Sequence, residues 1–178
     1  MIATGYQREF EEFVRASSDR LVRIAFLLTG DRHHAEDIAQ TALERTARRW
    51  RSARRDPGAY ARRAVVNLVK DRRRLLSRRP AETAWAYDVA VPVTDRVADR
   101  DELVRALRAL PLGQRSVPVL RYFEDLSVSE TAQVLGCTAG TVKSQTARGL
   151  TSLRAALKET DSSGHSDTGE TKEHSHVD

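Results

Sequence analysis

The chain has 178 residues, room for one ordinary domain or two small ones. With 40% hydrophobic and 31% charged residues it falls among foldable, well-solvated chains rather than disordered ones, and no apolar run approaches the roughly 20 residues of a membrane-spanning helix. Its one cysteine, Cys137, excludes an internal disulfide, and the N-terminus lacks the basic-then-apolar layout of a secretory signal. A cytoplasmic protein with no membrane insertion is expected.

Helix formers dominate throughout, and few segments alternate as strands do. A first helix carries Phe10, Phe13, Val14, Leu21, Ile24, Ala25 and Leu28 at three- and four-residue spacing. Gly30 is placed to stop it and Asp31 to cap the next. That second helix sets Ile38, Ala42, Thr46 and Trp50 four apart on one face. Asp56 and Pro57 then start a third, Asp56 as cap and Pro57 in the first turn, running to about Leu76. These form a helical module over residues 6–77. From 78 to 99 the periodicity fades across two prolines, which reads as a linker, although Trp85 and Tyr87 are unusual in a spacer. A second helical module spans 100–157, and the nearly apolar-free tail, 158–178, is expected to be disordered. The fold class is therefore all-α, two small helical domains joined by a linker.

Charge is unevenly placed. The net +5 conceals a segment, residues 45–79, with fourteen basic residues against Asp56 and Asp71 alone. That segment carries +12, leaving −7 for the rest, and such segregation points to a polyanionic partner.

In the second module, Ser127 followed by Glu130 is a capping box that fixes a helix start. The helix ends at Gly136, and Thr138 caps another carrying Val142, Leu150 and Leu153 inward. Counting from Val128, Ala132 is fifth, Gly136 ninth and Val142 fifteenth. A helix-turn-helix needs that order: a small residue at the crossing, glycine in the turn, a branched residue locking the second helix. Lys143, Ser144, Gln145, Thr146, Ala147 and Arg148 are read as its outward face, suited to base edges and phosphates. Pro118, inside SVPVLRYF, should kink a helix or shift its start.

With these residues in view, the chain resembles the extracytoplasmic-function (ECF) sigma factors of the sigma-70 family, and most closely an actinobacterial SigE-like subgroup. RYFEDLSVSETAQVLGCTAGTVKSQTARGL resembles their region 4, the −35 reader. AEDIAQTALERTARRW resembles the polymerase-binding part of region 2, and PGAYARRAVVNLVKDRRR the part that melts and reads the −10 element. The resemblance implies RNA polymerase core and promoter DNA as partners, and admits an anti-sigma factor that no residue here identifies. Asp37 and Gln40 fall on positions that contact polymerase. Tyr60, where relatives often carry Trp, and Asn67 fall where an unpaired base is stacked or held. Arg62, Arg63, Lys70, Arg72 and Arg73 would hold phosphates. Arg121, Lys143, Ser144 and Arg148 match −35 contact positions, while Gln145 stands where many relatives carry Arg. Regions 2 and 4 of the free chain are expected to pack on each other, leaving DNA binding poor without polymerase.

A stand-alone helix-turn-helix regulator binding an operator is the alternative, but it has no need for the helix from Ala35 to Trp50 or for the +12 segment. No nucleophile triad, phosphate loop or paired-carboxylate site marks an enzyme, and no small-molecule substrate or cofactor is implied. His33, His34, Glu36 and Asp37, and the tail residues His165, His174 and His176, lack the spacing of a metal site and read as solvated polar groups. Cys137 reads as a small residue of the turn.

Overall fold

The computed structural model describes residues 4–77 and 95–163, all of whose regular elements are helical. The first module consists of α1 (Thr4–Thr29), α2 (Arg32–Arg48), the single turn α3 (Trp50–Ala53) and α4 (Pro57–Ser77). The second consists of α5 (Asp95–Ala109), α6 (Leu112–Pro118), a π-helical turn (Val119–Phe123), α7 (Val128–Leu135) and α8 (Ala139–Ser163). Thus α5 begins five residues before the expected module boundary and α8 continues past Leu157. Trp85, Tyr87 and the tail histidines lie outside the described residues.

Local capping sets most boundaries. Gly30 adopts φ +70°, the left-handed conformation glycine accepts without a Cβ penalty. Asp31 then accepts the His34 backbone N–H at 2.9 Å to open α2. The Asp56 carboxylate accepts from Ala59 N at 2.9 Å, with Pro57 in the first turn of α4. Helix α2 does not run on to Trp50 as the four-residue spacing suggests. It stops at Arg49, whose φ of −111° leaves the helical range, and Trp50 opens α3, where Phe10 and Phe13 enclose its ring at 5.1 and 5.7 Å.

Pro118 acts one turn downstream of itself. Lacking an N–H, it cannot donate to the carbonyl of Gln114, and after it the helix widens so that Glu124 N donates to Val119 O at 3.1 Å. This π register leaves Glu124 buried while Tyr122 is 55% exposed. The Gln114 carbonyl instead lies against α8, where a Cβ on Gly149 would stand 2.5 Å from that oxygen and 3.0 Å from the Pro118 ring.

The two modules share one core. Leu21, Ile24, Leu28, Val65, Val66 and Val69 belong to the same apolar cluster as Leu107, Val119, Leu120, Leu126 and Val134. A buried arginine ties them further: Arg115 donates to Leu28 O at the end of α1 (2.5 Å), and to Arg108 O (2.7 Å) and Leu110 O (3.0 Å) at the end of α5. One cation thereby satisfies the open carbonyl ends of two helices from different modules. Burial, and secondarily Arg73 and Arg108, push its pKa down to about 10, so it remains charged at neutral pH.

Two substitutions test this architecture. Gly149→Ala should destabilise by about 1–3 kcal/mol, read as a lowered midpoint in denaturant unfolding, because Gln114 O is backbone and cannot step aside. Arg115→Met, which strands two buried carbonyls and a part-buried one, should cost about 3 kcal/mol in the same experiment. A variant with an unchanged midpoint would show those carbonyls to be satisfied another way.

A candidate nucleic-acid interface

The seven −10 candidates all lie on α4. Tyr60, Arg63, Asn67 and Lys70 recur at three- and four-residue spacing and form one stripe. Asn67 and Arg63 are exposed, Tyr60 and Lys70 half-buried. Lys70 Nζ donates to Leu135 O at the end of α7 (3.3 Å). Arg62 is half-buried, with Nη1 3.9 Å from the Glu124 carboxylate. Arg73 is exposed. Arg72 is bonded to His34 Nε2, and His34 Nδ1 stands 2.8 Å from Asp31. His34 is therefore not the solvated group the sequence suggests but a bridge from the α2 cap to α4. Those His34 contacts outweigh burial, which opposes them, and hold the Asp31 carboxyl below its usual range.

Tyr60 and Arg63 also line a cleft of about 250 Å³ with Ala53, Asp56, Gln133 and Val134. Its walls come from both modules, α3 and α4 on one side and α7 on the other.

Asp37 and Gln40 project from α2 opposite its buried face of Ala35, Ile38, Ala39 and Ala42, and both are exposed. The helix-turn-helix forms as its spacing requires. Ser127 Oγ accepts from Glu130 N, and Glu130 Oε2 accepts from Ser127 N. Gly136 takes φ +67°, Thr138 Oγ1 accepts from Thr141 N, and Ala132 and Val142 pack with Val117.

On α8, Lys143, Ser144, Ala147 and Arg148 are exposed, but Gln145 and Thr146 are half-buried. The six residues cannot all face outward, because a helix turns about 100° per residue and Gln145 and Thr146 flank the buried Val142. Thr146 Oγ1 is bonded to Val142 O at 2.8 Å. Arg121, the remaining −35 candidate, is half-buried and donates to Leu126 O, bracing the loop into α7.

Arg20, Arg115 and Glu124 do not stand out in the sequence. Glu124 is buried, with its carboxylate 2.7 Å from Arg20 Nε, and its carbonyl accepts from Arg20 Nη2 at 2.9 Å. The only sequence signal is a charged residue inside or beside an apolar run.

Comparison with known proteins places these elements. The family profile described as "Sigma-70 region 2" matches residues 13–79, and "Sigma-70, region 4" matches residues 100–153. The RNA polymerase sigma-E factor of Streptomyces avermitilis is 41% identical over 163 residues, 90% of this chain and 91% of that protein. The chain belongs to the sigma-70 family. Within it, the kinship is with the ECF, SigE-like sigma factors, transcription regulators rather than catalysts. The ECF RNA polymerase sigma factor SigM of Mycobacterium tuberculosis is 34% identical over 158 residues, 86% of this chain and 79% of that one. A solved structure of the sigma factor RpoE of Bartonella quintana, in complex with the anti-sigma factor NepR, shares the fold with a TM-score of 0.74. It is 23% identical and covers 85% of this chain and 98% of its own. Among the described residues no helix is long and apolar enough to cross a membrane, and no cluster of His, Cys, Asp and Glu could hold a metal.

The capping box that opens the region 4 reader is a pH-sensitive element. The Ser127 side chain, and then its backbone N–H, hold the Glu130 carboxyl below its usual range. A depressed carboxyl contributes stability above its unfolded value and loses it as pH falls through the folded one. Glu130→Gln keeps a cap that does not titrate. The thermal midpoint advantage of the wild type over this variant should therefore shrink to nothing as the pH is lowered through the carboxylate range; a constant difference would refute the assignment.

Proposed function

We propose that the chain is an alternative sigma factor that binds RNA polymerase core, recognises −35 and −10 promoter elements, and helps to melt the DNA. The observation that carries this reading is one chain with three separate polar chemistries on three different helices. On α2 an acid and an amide face solvent; on α4 an aromatic, an amide and a row of cations share one helix; on α8 short polar and basic donors project beside a locked helix-turn-helix. An operator-binding regulator needs only the last of these.

In this reading the α2 face carrying Asp37 and Gln40 docks on polymerase. Strand separation then exposes bases that Asn67 can read with donors and acceptor together and on which Tyr60 can stack, while Arg62, Arg63, Lys70, Arg72 and Arg73 hold phosphates. Lys143, Ser144 and Arg148 meet the −35 duplex. Arg121 joins them only by releasing Leu126 O. The working compartment is the cytoplasm, and an anti-sigma protein is a further partner, as NepR is for the Bartonella factor.

Transcription in vitro with sigma-free core from a related bacterium and a promoter-fragment library tests the proposal. Transcripts should require both core and this protein. Asp37→Ala and Arg148→Ala should each reduce them about tenfold or more, the scale of one lost charged contact. Absence of core binding, with specific duplex binding by the protein alone, would favour an operator-binding regulator instead.

A further inference from the structure

We infer that Tyr6, Glu9 and Arg54 are positioning residues. Together they brace the connection between α2 and α4 against α1, and so set the wall of the cleft in which Tyr60 receives an unpaired base. The role of that cleft rests on the proposed function, whereas the brace belongs to the fold.

The connection needs outside support. Helix α3 is a single turn of four residues, and so short a helix does not sustain itself, because nucleation fixes several residues before hydrogen bonds offset the cost. Arg49, ahead of it, has left the helical range, and beyond it Arg54 and Arg55 lead to the Asp56 cap of α4. On the inner side Trp50 and Ala53 are buried, with the Trp50 ring against Phe10 and Phe13. On the outer side Arg54 reaches back 45 residues to α1, where its Nε and Nη2 donate to the two Glu9 carboxylate oxygens at 3.2 and 3.1 Å. Two parallel bonds fix the plane of a guanidinium as well as its place. The Tyr6 ring meets the same group, its centroid 4.8 Å from Arg54 Cζ, which adds a cation–π attraction. Tyr6 is three and four residues from Glu9 and Phe10, and these are four and three from Phe13. All four therefore share one face of α1, and that face holds the turn by an apolar contact and an ionic one.

The braced turn is also a wall. Ser52, Ala53, Arg55 and Asp56 line the cleft together with Tyr60 and Arg63. Arg54, between Ala53 and Arg55 in sequence, turns to α1 instead. Its charge is thus neutralised by Glu9 rather than presented to a phosphate, although it belongs to the +12 segment. A wall already in place need not be ordered when a base enters, which is how preorganisation strengthens binding. The Arg54 and Glu9 side chains are 41% and 46% exposed, and an ion pair in that setting contributes little to global stability. Its effect belongs to the shape of the cleft rather than to the survival of the fold.

The test uses the full chain bound to polymerase core, with a pool of duplexes in which one strand carries a randomised unpaired segment. Sequencing of the bound fraction reads base preference at each unpaired position. Glu9→Ala and Arg54→Ala should each flatten the preference at one and the same position about fivefold, and Tyr6→Leu about twofold. The Glu9→Ala, Arg54→Ala double variant should lose no more than the worse single one, because the pair acts as a unit. Affinity for core and the midpoint of denaturant unfolding should stay at the wild-type values. The direction of the effect discriminates. Charges acting on DNA directly would give opposite results, tighter binding without Glu9 and weaker binding without Arg54, at every position alike. Opposite or additive effects, an unchanged preference, or a flattening that tracks a lowered unfolding midpoint would each overturn the inference. A wild type that fails to bind core, or binds it with no preference in the unpaired segment, would remove the proposed function and the positioning role with it. Wild-type preference that survives in all the variants would remove the positioning role alone.

Discussion

Leu28 lies in the last turn of α1, where its carbonyl has no partner further along the helix, and its donor is a guanidinium from the other module. Because Arg115 also holds two carbonyls at the end of α5, its position cannot change without exposing polar atoms from both modules at once. An uncompensated buried acceptor costs more than an ordinary hydrogen bond gains. The contact therefore acts as a condition on packing, and the shared apolar cluster around Leu28, Leu107 and Leu120 forms around it. Two modules that could each be small and marginal gain a single interior in the closed chain.

Much of the fold is legible in the sequence because helix ends are local chemistry. Gly30, Asp31, Asp56, Ser127, Glu130, Gly136 and Thr138 each act on a backbone group within a few residues, and each does so here. The break at Arg49 is not legible, since the spacing from Ile38 to Trp50 is consistent with one unbroken helix. What moves Trp50 off that line is its packing with Phe10 and Phe13, a contact no periodicity reports. The early start of α5 escapes notice for a related reason: its charged first turns offer no sustained apolar face.

The candidate site shows the same division. Composition and spacing place Tyr60, Asn67, Lys70, Lys143 and Arg148 on the correct helices, because an amphipathic pattern specifies a face. It does not specify what that face meets. Hence Arg62, Lys70 and Arg121 are legible as cations, but not their engagement with Glu124, Leu135 O and Leu126 O. Gln145 and Thr146 are misjudged for a simpler reason, since six consecutive residues go most of the way around a helix. Glu124 lies unnoticed in RYFED because only the widened turn after Pro118 carries it to the interior.

That widened turn leaves a mark on descent. With Pro118 in place, the Gln114 carbonyl rests where only a residue without a Cβ can pass it, and Gly149 is that residue. The clashing oxygen is backbone, so descendants of this chain keep glycine at position 149 or spread α6 from α8 to make room for a side chain.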